Sequence, residues 1–128
     1  MKKLIVDADD FGLTKGINQG ILEAIEKGII TSVSVITTNP YFKEILNLAK
    51  KYPHLSVGIH FNLVTGNSLS SPNLIQSLVT KKGQFWGEKE FKKQYFKGEI
   101  KISEIRLELE KQIRALTDLK IKPIYFIV

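Results

Sequence analysis

The sequence predicts an α/β protein of parallel βαβ units that form about half of a (β/α) barrel, with an insertion after the third strand. Three observations favour this fold: short apolar runs rich in branched side chains, amphipathic stretches between them, and a length of 128 residues. Strands that alternate with helices normally pair in parallel through crossover helices. Because a closed barrel takes about 250 residues, we expect a single truncated domain over residues 1–128.

The first strand and helix are predicted from an apolar run and a helical repeat. Residues 4–8 are mainly apolar and lead into Asp9 and Asp10, which is typical of a buried strand that meets a loop. Apolar residues then recur at helical spacing, and Gly28 provides a C-terminal stop. The helical positions are Ile17, Ile21, Leu22 and Ile25. Residues 32–37, which read SVSVIT, are the predicted second strand.

A second helix and a third strand follow. Asn39 is a capping residue before Pro40 at the first helical position, and Pro53 ends the helix. The apolar positions of this helix are Phe42, Ile45, Leu46 and Ala49. Residues 55–61 form the third strand and carry His60 near its end. Because parallel strands end at one edge of a sheet, this strand and the first deliver their last residues to a common rim.

The second half of the chain begins with an insertion and ends with a helix and a strand. Residues 62–87 lack periodicity and contain several Gly, Asn and Pro residues, as expected for a long loop. Ser103 is the predicted cap of a long helix with one apolar stripe. That stripe consists of Ile105, Leu109, Ile113 and Leu116. Residues 124–128 start a fourth strand.

Aromatic residues between positions 85 and 96 are expected to pack the insertion onto the sheet. Alternatively, these aromatic rings could bind the faces of a sugar.

Composition narrows the possible functions. The chain has no cysteine, so disulfides, zinc ribbons and thiol nucleophiles are excluded. The net charge of +6 comes from lysines spread among acidic residues, without an arginine cluster, so we expect a solvated surface and no nucleic-acid partner. Asp7 interrupts the apolar start, and no later window approaches the roughly 20 apolar residues of a membrane-spanning helix. A cytoplasmic protein without a membrane partner is expected.

Asp9, Asp10 and His60 are the candidate functional residues. Adjacent carboxylates repel each other, and they stay ionised most readily beside a cation or strong hydrogen-bond donors. A carboxylate oxygen and an imidazole are ordinary ligands of zinc, manganese or iron, and magnesium accepts the oxygen more readily than the nitrogen. Two other interpretations stay open. The aspartates could cap the turn into the first helix, and His60 could be a hydrogen-bonded core residue.

Several segments follow one another in an order that is typical of one enzyme family. Residues 7–18 read DADDFGLTKGIN, residues 56–63 read SVGIHFNL, and residues 83–86 read GQFW. These segments resemble the NADDFG and GxN signature, the VGLHLNL motif and the G-x-F element of the YdjC-like carbohydrate deacetylases, also called the ChbG/HpnK family. Asp7 stands where the family usually has asparagine, and we assign it no catalytic role. The resemblance covers essentially the whole chain, but only the front half of a typical member.

The resemblance implies metal-dependent hydrolysis of the acetamido group of an N-acetylated sugar or oligosaccharide. Asp10 and His60 would hold a divalent ion, Mg²⁺ or Zn²⁺, and Asp9 would be the general base. After its KP dipeptide the family continues with a THxDSHxH-type segment, whereas this chain reads PIYFIV and ends. The third metal ligand of the family, a histidine, therefore has no counterpart here.

Two further functions compete with the enzyme. A non-catalytic remnant or binding module of the same family would bind metal weakly, release no acetate and pair its edge strands in a homodimer. A phosphorelay receiver domain has a similar length and an acidic pair after its first strand. It also needs an aspartate at the end of the third strand to accept phosphate, and this chain has His60, Phe61 and Asn62 there.

Overall fold

The computed structural model describes residues 2–128 and contains one sheet with helices packed against it. The strands are β1 (Asp7–Phe11), β2 (Ser32–Val35), β3 (Ser56–His60) and β4 (Phe126–Ile127). The helices are α1 (Lys15–Lys27), α2 (Ile45–Lys51), α3 (Glu88–Phe96) and α4 (Ile102–Thr117), with short 3-10 helices at Pro40–Glu44 and Pro72–Leu74. The sheet order is β1-β2-β3-β4, and each neighbouring pair is parallel. The predicted α/β class with parallel βαβ units is confirmed.

One face of the sheet is apolar and the other is polar. The main core lies on the apolar face, where strand residues pack against residues of the helices. Its buried members are Phe11, Ile21, Val33, Val35, Phe42, Ile45, Leu48, Val57, Ile59 and Leu116. Because side chains alternate along a strand, the opposite face carries polar residues and one glycine. These are Asp7, Ser32, Ser34, Gly58 and His60. The helices therefore cover one side, and the polar side is left for a site.

The first two helices follow the predicted pattern, with one difference at each start. Helix α1 ends before Gly28 as expected, and Thr14 caps it by accepting a hydrogen bond from Ile17 N at 3.1 Å. Pro40 does stand at the start of the second helical segment, but that segment begins as a 3-10 helix. Asn39 occupies the predicted N-cap position before Pro40, but its side chain makes no capping hydrogen bond.

The first strand lies three residues later than predicted. It begins at Asp7, where the chain meets Ser32 of β2. Leu4 and Ile5, which were predicted to belong to the strand, precede it and are 75% and 78% exposed. Asp9 and Asp10 consequently lie within β1 and not after it.

Helix α3 lies between the predicted insertion and the last predicted helix, where no element was predicted. None of its residues is buried, so it has no apolar stripe that a repeat in the sequence could reveal. Its surface instead carries ion pairs at helical spacing, Glu88 with Lys92 and Glu90 with Lys93, which favour an exposed helix.

The insertion has an apolar cluster of its own, separate from the main core. Its buried members are Ile75, Leu78, Val79, Phe85 and Ile100. The prediction that the aromatic residues pack onto the sheet is wrong, because Phe85 is buried in this second cluster and Phe91 packs against it. Tyr95 and Phe96 are 55% and 84% exposed.

Helix α4 differs from the prediction in its start and in its buried stripe. It begins at Ile102 with Lys101 in the capping position, so Ser103 is not the cap. The buried positions are Glu104, Glu108, Gln112 and Leu116. The three other predicted stripe residues, Ile105, Leu109 and Ile113, are only half-buried. β4 is also shorter than predicted. Among residues 2–128, no helix has the length and apolar character needed to cross a bilayer.

Candidate metal centre

A backbone irregularity near the end of β1 sets the position of Asp10. Ala8 pairs with Val33 and Phe11 pairs with Val35, so three steps along β1 (8 to 11) match two along β2 (33 to 35). The extra residue is a β-bulge, a feature that re-aims side chains at the edges of active sites. Asp10 has a φ of 67°, in the left-handed region that aspartate tolerates better than most residues.

The turn after Asp10 is held by Gly12 and Asn18. Gly12 has a φ of 96°, and a Cβ at this position would lie 2.7 Å from Ile36 O, so only glycine fits. Asn18 is buried, and its Oδ1 accepts a hydrogen bond from Gly12 N at 2.7 Å. Its Nδ2 donates to Tyr41 O at 3.0 Å. The glycine and asparagine of the signature segment thus fix the turn that follows Asp10.

Asp10 and His60 meet at the rim of the sheet, although β2 lies between their strands. Asp10 Oδ1 is 3.2 Å from His60 Nδ1, and the two side chains are 44% and 23% exposed. This contact does not have the alignment of a hydrogen bond, and the buried Nδ1 has no hydrogen-bond partner among residues 2–128. The interpretation of His60 as a hydrogen-bonded core residue is therefore not supported.

The pair fits a divalent cation as two of its ligands. Two ligand atoms that are each about 2.1 Å from one ion lie roughly 3 Å apart, which is close to the 3.2 Å between Asp10 Oδ1 and His60 Nδ1. A buried imidazole nitrogen that no protein group satisfies is suited to coordinate an ion. Within residues 2–128, no group of three or more His, Cys, Asp or Glu side chains is arranged to hold a metal. The described residues provide two ligands, and metal binding by them remains a prediction.

Asp9 is an exposed residue of β1 next to this pair. Alternation along the strand places it on the polar face of the sheet together with Asp7. Thr14, and not an aspartate, caps α1. In the turn before the helix, Leu13 N donates to the backbone oxygen of Asp10 at 3.1 Å, so Asp10 takes part in that turn through its backbone. Asp9 is therefore available to a reactant at the rim, and its role as a base remains a prediction.

Sequence reasoning missed a polar cluster on the same face, formed by Asp7, Ser32, Ser34 and Tyr125. Tyr125 Oη and Ser34 Oγ both donate to the Asp7 carboxylate, and Ser32 Oγ shares a hydrogen bond with Tyr125 Oη. Gly58 makes room for the tyrosine, since a Cβ there would lie 2.3 Å from the Tyr125 ring. Asp7 and Tyr125 are 118 residues apart along the chain, so no local sequence signal could reveal their contact.

The cluster changes the acidity of two of its members. Burial by itself raises the pKa of Asp7, but hydrogen bonds from Ser32, Ser34 and Tyr125 outweigh it and hold that pKa below its ordinary value. Burial, and next the neighbouring Asp7, raise the pKa of Tyr125 above its ordinary value. Asp7 is accordingly ionised and Tyr125 neutral near neutral pH, which keeps a fixed negative charge on the polar face of the sheet.

Buried acidic residues of α4 hold the insertion close to the rim. The Glu108 carboxylate accepts hydrogen bonds from Leu69 N at 3.0 Å and from Ser70 N at 2.9 Å. One turn earlier, Glu104 accepts from Ser77 N at 2.7 Å. Each carboxylate satisfies backbone N–H groups that would otherwise be left unpaired, so the path of the insertion is fixed by helix α4.

A parallel α/β sheet with carboxylates and an imidazole at its carboxyl rim defines a class of proteins whose sites lie beyond the strand ends. Within that class, the chain belongs to the YdjC-like protein family, whose model matches residues 3–126. The match agrees with the resemblance of the signature segments, and it favours that family over a phosphorelay receiver.

Relatives of known name point to the same family. The chain is 41% identical over 114 residues to a carbohydrate deacetylase of Thermoanaerobacter pseudethanolicus, covering 89% of this chain and 44% of the relative. It is 38% identical over 117 residues to a chitooligosaccharide deacetylase of Proteus mirabilis, covering 91% and 44%. A crystal structure from Enterococcus faecalis, provisionally described as a cellobiose-phosphate cleavage protein, superposes with a TM-score of 0.86 at 32% identity. The superposition covers 98% of this chain and 47% of the Enterococcus faecalis chain. This chain therefore spans less than half the length of these relatives.

Proposed function

We propose that this chain carries part of the active site of a carbohydrate deacetylase, which hydrolyses the acetamido group of N-acetylated sugars with a divalent ion, Mg²⁺ or Zn²⁺. The observation that carries the proposal is the 3.2 Å contact between Asp10 Oδ1 and His60 Nδ1, which has no hydrogen-bond partner among residues 2–128. The names of the relatives, carbohydrate deacetylase and chitooligosaccharide deacetylase, support the substrate class. This chain matches only 44% of the length of those relatives. Catalytic activity of this chain by itself is therefore a proposal, which the acetate assay tests.

The residues at the rim divide the chemistry between them. When bound, a divalent ion makes its water more acidic and polarises the amide carbonyl. Asp10 and His60 would hold that ion, and the exposed Asp9 would accept a proton from the attacking water as general base. The rigid turn at Gly12 and Asn18 keeps Asp10 in position, which matters because misplacement by a fraction of an ångström weakens a site of this kind.

A second candidate is a non-catalytic binding module of the same family. One observation favours it: among residues 2–128, no third His, Cys, Asp or Glu side chain joins the two candidate ligands. Such a module would bind a divalent ion weakly and release no acetate. It would also fit a homodimer formed through the open edge of β4, which light scattering can check.

Metal binding and acetate release test the two candidates together. We expect Zn²⁺ to bind in calorimetry, and we expect Asp10→Asn and His60→Ala to weaken binding by about tenfold or more. Asn suits the left-handed backbone at position 10, so that variant removes charge without straining the turn. His54→Ala is the matched control, since His54 is an exposed histidine outside the strands that form the rim.

For activity, acetate release from N-acetylglucosamine oligosaccharides is measured with Mg²⁺ or Zn²⁺ present. The enzyme proposal predicts release that a chelator abolishes and that Asp9→Asn reduces by at least about a hundredfold. Metal binding without any release would support the binding module. Zn²⁺ affinity that His60→Ala leaves unchanged would rule out the proposed centre.

A further inference from the structure

The insertion contains a pocket that the candidate metal centre does not use. Its volume is about 530 Å³, and it lies between the 3-10 helix at Pro72–Leu74 and the segment around Trp86. Its lining combines an aromatic ring with polar and charged side chains, including Asn73, Gln76, Thr80, Lys81 and Trp86. None of them belongs to the rim site, so this pocket needs an explanation of its own.

Trp86 gives the pocket an oriented aromatic wall. The residue is 38% exposed, and its Nε1 donates a hydrogen bond to Ser77 O at 3.2 Å. That bond satisfies the only polar atom of the indole and fixes the ring, so the exposed part is an apolar aromatic surface. Such a surface suits the C–H face of a pyranose ring, which carries a slight positive charge toward the negative face of the indole.

An oriented amide lies beside this wall. Gln76 is exposed, and its Nε2 donates to Asn73 O at 3.3 Å, which orients the side chain. A neutral sugar offers hydroxyl and amide groups that can pair with this amide.

Charge in the pocket favours an acetylated sugar over a free amine. The lining residues include Lys81 and no carboxylate. A glucosamine unit carries an ammonium group near neutral pH, and Lys81 would repel it without a compensating anion in the lining. An N-acetylated unit is neutral and keeps an amide that can pair with Gln76 or Asn73.

The pocket is tied to the rim through one helix. Ser77, which holds Trp86, is bound by Glu104, whereas Gln112 on the same helix binds Asn62, two residues after His60. Residues 104 and 112 are eight positions apart, or about 12 Å along a helix axis. A ligand that reaches from the pocket to the rim would extend along this helix, which favours an oligomer over a single sugar unit.

We infer that this pocket is a distal subsite for a neutral, N-acetylated unit of an oligosaccharide whose reacting unit lies at the rim. The ligand class rests on the proposed function, whereas the pocket itself rests on Trp86, Gln76 and Lys81. Its role is to hold the far end of the chain and to favour oligomers over monosaccharides.

Trp86 is the single tryptophan of the chain, so its fluorescence reports directly on the pocket. The test titrates the protein with N-acetylglucosamine and with its β-linked oligomers of increasing length. We expect a saturable change in tryptophan emission, with affinity for the longer oligomers about tenfold or more above that for the monosaccharide. Fully deacetylated oligomers of equal length are expected to bind more weakly.

Variants are measured by calorimetry, since Trp86→Ala removes the fluorophore. Trp86→Ala should weaken oligomer binding about tenfold, and Gln76→Ala about threefold. Asn47→Ala is the matched control, because Asn47 is an exposed amide that lines a different pocket, between α1 and α2. It should leave oligomer affinity unchanged.

The outcomes separate this inference from the proposed function. In the Asp10→Asn variant, we expect acetate release to be lost while the Trp86 titration persists. Oligomer binding in calorimetry that leaves Trp86 emission unchanged, and that Trp86→Ala does not weaken, would overturn the subsite even if acetate is released. Equal affinity for acetylated and deacetylated oligomers would overturn the assigned preference. Absence of any oligomer binding would also overturn the subsite, and the metal titration would still decide the rim site independently.

Discussion

Gln112 binds both backbone polar groups of Asn62. Its Nε2 donates to Asn62 O at 2.7 Å, and its Oε1 accepts from Asn62 N at 3.1 Å. Both residues are buried, and Gln112 is fully inaccessible to solvent. This two-point contact ties the residue that starts the insertion to the middle of α4, so the chain leaves β3 in a fixed direction just after His60.

Replacing Gln112 with leucine should destabilise the protein strongly. Leucine has a similar size, but it leaves the buried N–H and C=O of Asn62 unpaired. We expect a loss of about 2 to 4 kcal/mol in the free energy of unfolding, measured by urea denaturation. Lys111→Ala, at the exposed neighbouring position, should change stability by less than about 0.5 kcal/mol. Equal effects of the two substitutions would contradict the role of the contact.

Two glutamates of α4 provide a matched comparison of buried and exposed carboxylates. Glu108→Gln replaces one carboxylate oxygen with an amide NH₂ that faces backbone donors from Leu69 and Ser70. We expect it to cost about 2 kcal/mol of stability. Glu110→Gln removes only a surface ion pair with Arg106 and should cost at most about 0.5 kcal/mol. Thermal and urea unfolding of both variants give the comparison, and a larger loss in Glu110→Gln would refute it.

Stability should fall on acidification partly through Glu104. Burial raises the pKa of this carboxyl, but hydrogen bonds from Ser77 and Lys101 outweigh it and hold the pKa below its ordinary value of 4.5. A pKa that is lower in the folded protein stabilises the fold above 4.5, and this contribution is lost as the pH falls through the folded value. In urea unfolding across this range, Glu104→Gln should be less stable near neutral pH and should show a weaker acid dependence. A variant with an unchanged pH profile would exclude this role.

Gly12 and Gly20 should respond to substitution by alanine in opposite directions. Gly12→Ala puts a Cβ 2.7 Å from Ile36 O at a φ of 96°, so we expect a loss of roughly 2 kcal/mol or more. Gly20 lies in the middle of α1, and an alanine methyl group there would have no neighbouring atom within 4 Å beyond its own stretch of helix. Gly20→Ala should raise stability by about 0.5 to 1 kcal/mol, because alanine favours the helix. Thermal unfolding distinguishes them, and stabilisation by Gly12→Ala would disprove the geometry of the turn.

The sequence was sufficient to predict the parts of the fold that depend on local pattern. Alternating apolar runs and helical repeats predicted the parallel strands, and strand direction predicted that Asp10 and His60 share one edge. The 3.2 Å contact between them depends on the β-bulge near Asp10, and no local sequence pattern predicts that bulge. The sequence therefore predicted that Asp10 and His60 lie at one edge of the sheet, but it did not predict the distance between their side chains.

Features without an apolar repeat escaped prediction. Helix α3 is stabilised by surface ion pairs, and the buried side of α4 is polar because Glu104 and Glu108 satisfy backbone groups of the insertion. Helix α3 buries no residue and therefore has no apolar repeat, whereas in α4 the usual rule that buried means apolar gives the wrong result. The Asp7 and Tyr125 contact joins the two ends of the chain, and only the folded sheet brings them together.

The left-handed backbone at Asp10 also restricts how this position can change over evolutionary time. Asparagine and glycine accept that conformation easily, whereas branched side chains do not. A relative that loses the proposed ion but keeps this fold is therefore expected to carry one of those two residues, each a single nucleotide away from an aspartate codon.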